Sequence, residues 1–153
     1  YNKETTEQLT DELLSEDENK YHAFLILDVD CFKQINDIYG HAVGDIVLQK
    51  FGKLLKGTFR EGDILGRIGG DEFGVIMKNI QTKDIAMKKA EELLAKTQAY
   101  KIDELKGNNI SISIGISTAP QDGDCYMDLY KRADQALYQA KRSGKARVCN
   151  YFS

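Results

Sequence analysis

The 153-residue chain has no tryptophan, a single proline and three cysteines, and it lacks any apolar run near the roughly 18 to 20 residues needed to cross a bilayer. Its longest apolar run, Ala23 to Leu27, has the length of a strand, so the expectation is a soluble chain without membrane contact. The first residues, Tyr1-Asn2-Lys3-Glu4, offer neither a basic nor an apolar segment of the kind a secretory signal needs. Cys31, Cys125 and Cys149 are odd in number, widely spaced and match no metal-ligand pattern, which fits free thiols in a reducing cytoplasm. Excess charge of one sign is also missing. Lys and Arg number 21 against 24 Asp and Glu, a balance of −3 that argues against a surface for nucleic-acid polymers or anionic lipid. What is present, 42% hydrophobic and 29% charged residues without repeats or low-complexity segments, suffices for one globular domain.

Periodicity divides that domain into alternating elements. Thr5 to Ser15 reads as an amphipathic helix and His22 to Val29 as a strand buried on both faces, with Asp28 and Asp30 at its C-terminal end. Cys31 to Tyr39 reads as a short helix stopped by Gly40. After the loop Gly40-His41-Ala42, Val43 to Thr58 reads as a longer helix. Ile64 to Ile68 and Phe73 to Met77 read as a hairpin around Gly69-Gly70-Asp71-Glu72, where glycine is expected to supply positive φ. Lys83 to Ala99 is an amphipathic helix, Asn109 to Ser117 alternates as a half-buried strand, Asp128 to Arg142 is a helix, and Arg147 to Phe152 a closing edge strand. This order contains the βαββαβ plan of ferredoxin-like folds and polymerase palms. The expected class is α+β, with a central antiparallel sheet of about five strands flanked by helices.

If the first strand lies beside the hairpin, Asp28 and Asp30 converge with Asp71 and Glu72 at one end of the sheet. Single acids at strand ends are commonly solvated turn formers. Gathered together, they suit hard cations such as Mg²⁺, which take carboxylate oxygens, backbone carbonyls and phosphate oxygens, and which in pairs serve in-line phosphoryl displacement.

Four segments then carry a resemblance over nearly the whole chain: LDVDCFKQINDIYGHAVGD at Leu27 to Asp45, RIGGDEF at Arg67 to Phe73, SISIGIS at Ser111 to Ser117, and RADQALYQAKRSGK at Arg132 to Lys145. In this order they closely resemble the GGDEF family of diguanylate cyclases. The resemblance implies condensation of two GTP molecules into cyclic di-GMP with release of two pyrophosphates, in a homodimer of facing domains. Asp28, the backbone carbonyl of Val29, Asp71 and Glu72 are the implied ligands of Mg²⁺, two ions per GTP, with Mn²⁺ as a substitute. Asp71 and Glu72 are also the implied catalytic acids, and Asp30 is assigned a supporting or folding role.

Free N–H groups at Cys31, Phe32 and Lys33, where the short helix starts, suit phosphate oxygens. Lys141 and Lys145 match the family's basic phosphate contacts. Asn36 and Asp45 are expected to read guanine, because an Asp acceptor meets the N1–H and N2–H donors that adenine lacks. His41 is expected to make a structural hydrogen bond, and Gly69 and Gly70 to admit the phosphates close to the backbone. Arg60 and Asp63 stand at the spacing of the family's inhibitory RxxD site for cyclic di-GMP. The next helix supplies only lysines, Lys88 and Lys89, as a second cation.

The alternative is a non-catalytic GGDEF module that binds GTP or cyclic di-GMP as a signalling receptor. The resemblance also makes residues 1–153 a single cytoplasmic GGDEF domain excised from a longer chain, whose upstream sensory or receiver region could carry a membrane anchor.

Overall fold

Residues 1–16 and 20–151 are described by a computed structural model of the chain. In chain order the elements are α1 (Lys3–Glu16), β1 (Tyr21–Val29), α2 (Phe32–Tyr39), α3 (His41–Thr58), β2 (Ile64–Arg67), β3 (Glu72–Ile80), α4 (Lys83–Ala99), β4 (Ile112–Ala119), α5 (Tyr126–Arg142) and β5 (Val148–Asn150). The strands form one five-stranded sheet in the order β2-β3-β1-β4-β5. The first four pair antiparallel, which is the βαββαβ core, and β5 joins β4 in parallel. The sheet is therefore mixed and not antiparallel throughout. A helix, α5, connects β4 to β5, and a helical crossover returns the chain in the direction it left.

Residues 23–29 of β1 are fully or nearly fully buried because both faces of the sheet are covered. Ala23, Leu25, Leu27 and Val29 face a core with Val47, Phe51 and Leu55 of α3 and Ala90 and Leu93 of α4. Phe24 and Ile26 face the opposite core with Leu14 of α1 and Tyr126, Leu129, Ala133 and Leu137 of α5. Period-2 alternation thus sends successive side chains into two different cores.

β4 departs from the expected half-buried strand, since all eight of its residues are buried. Its polar and small residues meet α5 instead of water. The Ser117 hydroxyl donates to the Leu129 carbonyl at 2.7 Å, and an ideal Cβ on Gly115 would lie 2.2 Å from the Ala133 carbonyl oxygen and 2.3 Å from the Leu137 nitrogen. α3 starts at His41, two residues before the expected Val43, because Gly40 alone, at φ 92°, makes the break after α2. The expected closing strand contracts to Val148–Asn150, and Phe152 lies outside the described residues.

Candidate active site

β1 ends where β3 begins, because the antiparallel register sets Asp28 opposite Glu72. Asp71 precedes β3, and the Val29 amide donates to its carbonyl at 3.5 Å. Three carboxyls are thereby gathered at one end of the sheet. Asp28 is buried, its Oδ2 accepts a hydrogen bond from Lys141 Nζ, and its Oδ1 is buried without a hydrogen-bond partner. Burial, with the neighbouring Asp71 carboxyl adding to it and Lys141 opposing, pushes the Asp28 carboxyl up to about 7. Burial alone would lower Lys141, but its hydrogen bond to Asp28 and the surrounding carboxylates outweigh that and raise it. Burial likewise raises Glu72, helped by Asp134 and Asp71, against the Tyr130 hydroxyl that donates to its Oε1 at 2.9 Å.

A buried carboxylate oxygen without a donor is costly, and here it sits among further acids with one ammonium as counter-charge. Hard oxygen donors in that state are what a divalent cation such as Mg²⁺ completes, so the residues present fit the metal. Asp30, two residues on, is engaged differently. Its carboxylate accepts from Ser111 Oγ at 2.7 Å, Ser113 Oγ at 2.6 Å and the Ala146 amide at 3.0 Å, which ties the end of β1 to β4 and to the turn after α5.

That turn has three successive residues of positive φ, Gly144 at 121°, Lys145 at 63° and Ala146 at 50°. It carries Lys145 back over the start of α2, where its Nζ lies 3.2 Å from Cys31 Sγ. Cys31 caps α2 in the left-handed region at φ 56°, one residue before the first helical amide. Cys31 and Lys33 are exposed and Phe32 half-buried, so the helix end opens to solvent. The two lysines, four apart in sequence, thus serve different places, Lys145 at the α2 terminus and Lys141 on Asp28.

Gly69 and Gly70 differ from expectation, for neither has positive φ. Their carbonyls instead accept from the Arg67 guanidinium, the Gly70 oxygen at 2.6 Å from Nη2. A Cβ on Gly70 would meet nothing within 4 Å, which leaves open space above the hairpin tip. Asn36 is half-buried on α2 against Gly44 of α3, where an added Cβ would fall 1.9 Å from its Oδ1; Asp45, the next residue, is exposed. His41 is exposed and makes no side-chain hydrogen bond among the described residues, contrary to the expected structural bond.

The family profile described as "Diguanylate cyclase, GGDEF domain" matches residues 1–147. Diguanylate cyclase A of Treponema denticola is 40% identical over 127 residues, covering 82% of this chain and 34% of that protein. The solved GGDEF domain of PA1120 (YfiN or TpbB) from Pseudomonas aeruginosa superposes with a TM-score of 0.94 at 32% identity, covering 100% of this chain and 97% of that one. The chain belongs to the GGDEF domain family. The GGDEF domain of DgcB from Caulobacter crescentus in complex with c-di-GMP is similar at a TM-score of 0.90 and 26% identity, covering 99% of this chain and 89% of that one. This GGDEF domain spans about a third of the length of the curated relative above, 34%.

In the GGDEF domain Arg60 and Asp63 lie at the far end of β2 from the acids, about 15 Å away at strand rise. Asp63 is buried and accepts from the Arg60 amide at 3.2 Å and the Lys78 amide at 3.1 Å, so its oxygens brace the turn. The Arg60 guanidinium bridges Asp63 and the Lys78 carbonyl beside a cleft of about 610 Å³ that Lys56 and Phe59 also line. Lys89, a candidate second cation, is paired with Glu92 at 3.2 Å. Sequence reasoning missed Tyr130, Arg67, Ser111 and Ser113. Only the last two had a visible signal, as polar positions within a strand.

Proposed function

We propose that this GGDEF domain is a diguanylate cyclase that condenses two GTP into cyclic di-GMP in a dimer of facing domains. The observation that carries the reading is the convergence of Asp28, Asp71 and Glu72 around a buried, unpartnered Asp28 oxygen. Asp28, the Val29 carbonyl, Asp71 and Glu72 would hold Mg²⁺, two ions per GTP, or Mn²⁺. The cations, when bound, neutralise charge on the phosphates and lower the pKa of a ribose 3′-hydroxyl.

The chain's own residues do the rest. The amides at Cys31, Phe32 and Lys33, with Lys145 above them, receive triphosphate oxygens, and the open Gly69–Gly70 turn lets them approach. Asn36 and Asp45 read the guanine edge. Glu72, half-buried and raised, accepts the 3′-hydroxyl proton as that oxygen attacks the α-phosphorus of the facing GTP. The bond from that phosphorus to pyrophosphate breaks, and the same step in the opposite direction closes the ring. Each domain supplies half of the arrangement, because one GTP must be presented to the other. Arg60 and Asp63 form the product-binding site. GTP as substrate and three free thiols suit the cytoplasm, and no described helix is long and apolar enough to cross a membrane.

Incubation of the protein with GTP and Mg²⁺, followed by chromatography of the nucleotides, tests the reading. Cyclic di-GMP and pyrophosphate are expected from the wild type, and a loss of at least a hundredfold from Asp71→Asn and Glu72→Gln. Undiminished synthesis by Asp71→Asn would overturn the metal assignment.

A further inference from the structure

We propose that Tyr130 is a positioning residue for Glu72, an inference that rests on the assignment of Glu72 to the cyclase site. Tyr130 is the only side-chain hydrogen-bond partner of Glu72 among the described residues, donating to Oε1 at 2.9 Å. Glu72 stands at the first position of β3, beside Asp71 and near Asp134, so it is repelled by like charges on two elements and has no cation bonded to it among the described residues. A neutral donor on one oxygen holds the group in place, leaves the other oxygen free to face cation and hydroxyl, and adds no competing positive charge.

The hydroxyl can do this because the ring beneath it is fixed. Tyr130 packs against Phe24 with ring centroids 6.4 Å apart at 63°, and against Tyr126 at 5.9 Å. Tyr126 in turn meets Phe24 edge-on at 5.4 Å and is 1% exposed. Phe24 belongs to β1, the strand that carries Asp28 next to its last residue, so the aromatic stack refers the position of Glu72 to the same strand that positions Asp28. α5 therefore touches the acid cluster twice, through Lys141 on Asp28 and through Tyr130 on Glu72.

Tyr126 supplies an internal control. Its hydroxyl is buried without a hydrogen-bond partner and feels Glu72 only through charge at a distance, so Tyr126→Phe removes the same atom from the same stack without removing a hydrogen bond to the acid. Two readouts apply: Mn²⁺ binding, followed by electron paramagnetic resonance in the presence of a GTP analogue with a non-cleavable α–β bridge, and steady-state kinetics with GTP and Mg²⁺. Tyr130→Phe is expected to weaken Mn²⁺ binding and lower kcat, each by about five- to tenfold, with KM for GTP and the melting temperature unchanged. Tyr126→Phe should leave both readouts at the wild-type level. In a Glu72→Ala background, which leaves the Tyr130 hydroxyl no acceptor at this position, Tyr130→Phe should have no further effect on Mn²⁺ binding.

Wild-type Mn²⁺ binding by Tyr130→Phe, an equal loss from Tyr126→Phe, or an additive loss in the Glu72→Ala background would each overturn the proposal. A wild-type protein that makes no cyclic di-GMP would overturn the proposed function instead. The Mn²⁺ comparison would still decide the role of Tyr130, because it reads binding and not turnover.

Discussion

Asp28 and Asp30 stand two residues apart at the end of one strand, both buried, and their surroundings divide the work between them. Asp30 is met by three donors, whereas Asp28 has an orphan oxygen and an acidic neighbour, and burial destabilises it as an anion. The Asp28 environment has a pH signature. An unfolded Asp28 titrates near 3.8 and the folded one at about 7, so between those values the native state holds a proton that the unfolded chain has released. Stability without metal therefore falls as pH rises from about 4 to about 7 and is level beyond it. Asp28→Asn is expected to unfold at higher urea than wild type at pH 8 in chelator, by about 2–4 kcal/mol, and to match it near pH 3.5. Urea titrations across that range check the sign; a wild type that gains stability between pH 4 and 7 relative to Asp28→Asn contradicts it. The acids themselves were legible in the sequence, since strand ends and a hairpin tip display them. Their different environments were not, because the donors to Asp30 come from residues 81 to 116 positions away.

Among the elements, β4 and α5 show what alternation alone leaves open. A polar-apolar alternation usually means one wet face, and Ser113, Gly115 and Ser117 instead lie under a helix that comes close because they are small. With backbone atoms of α5 at 2.2 and 2.3 Å from a hypothetical Cβ, Gly115→Ala has no flexible side chain to displace. Its expected cost is about 3 kcal/mol in urea unfolding, and a loss under 1 kcal/mol would show that α5 lifts easily from the sheet. The central strands, the two long helices and their order were readable from hydrophobic period. The parallel pairing of β5 was not, since only three residues commit to it and the crossover decides its direction. Tyr130 was invisible for a related reason. It lies one residue after buried Leu129 and one turn after buried Tyr126, and therefore reads as core from its spacing.

At the scale of the molecule, the acid cluster and the Arg60 turn occupy opposite ends of β2. Binding of product at one end and synthesis at the other should then be separable. Arg60→Ala is expected to weaken cyclic di-GMP binding at least tenfold by calorimetry while initial rates at low product stay within twofold of wild type. Loss of both together would place Arg60 in the fold and not in the product site. The proposed reaction also needs two facing copies, so turnover per protein should rise with protein concentration and level off only when the dimer is saturated. A dilution series with a constant specific activity would speak against a transient dimer.

The contact between Lys141 and Asp28 bears on how such a cycle runs. Without nucleotide, the ammonium balances the carboxylate that burial has made least tolerable. In the proposed reaction, the cations that come with GTP would take the place of Lys141 on Asp28, and Lys141 would turn to a phosphate, so that each of the two charges keeps an opposite partner before and after loading.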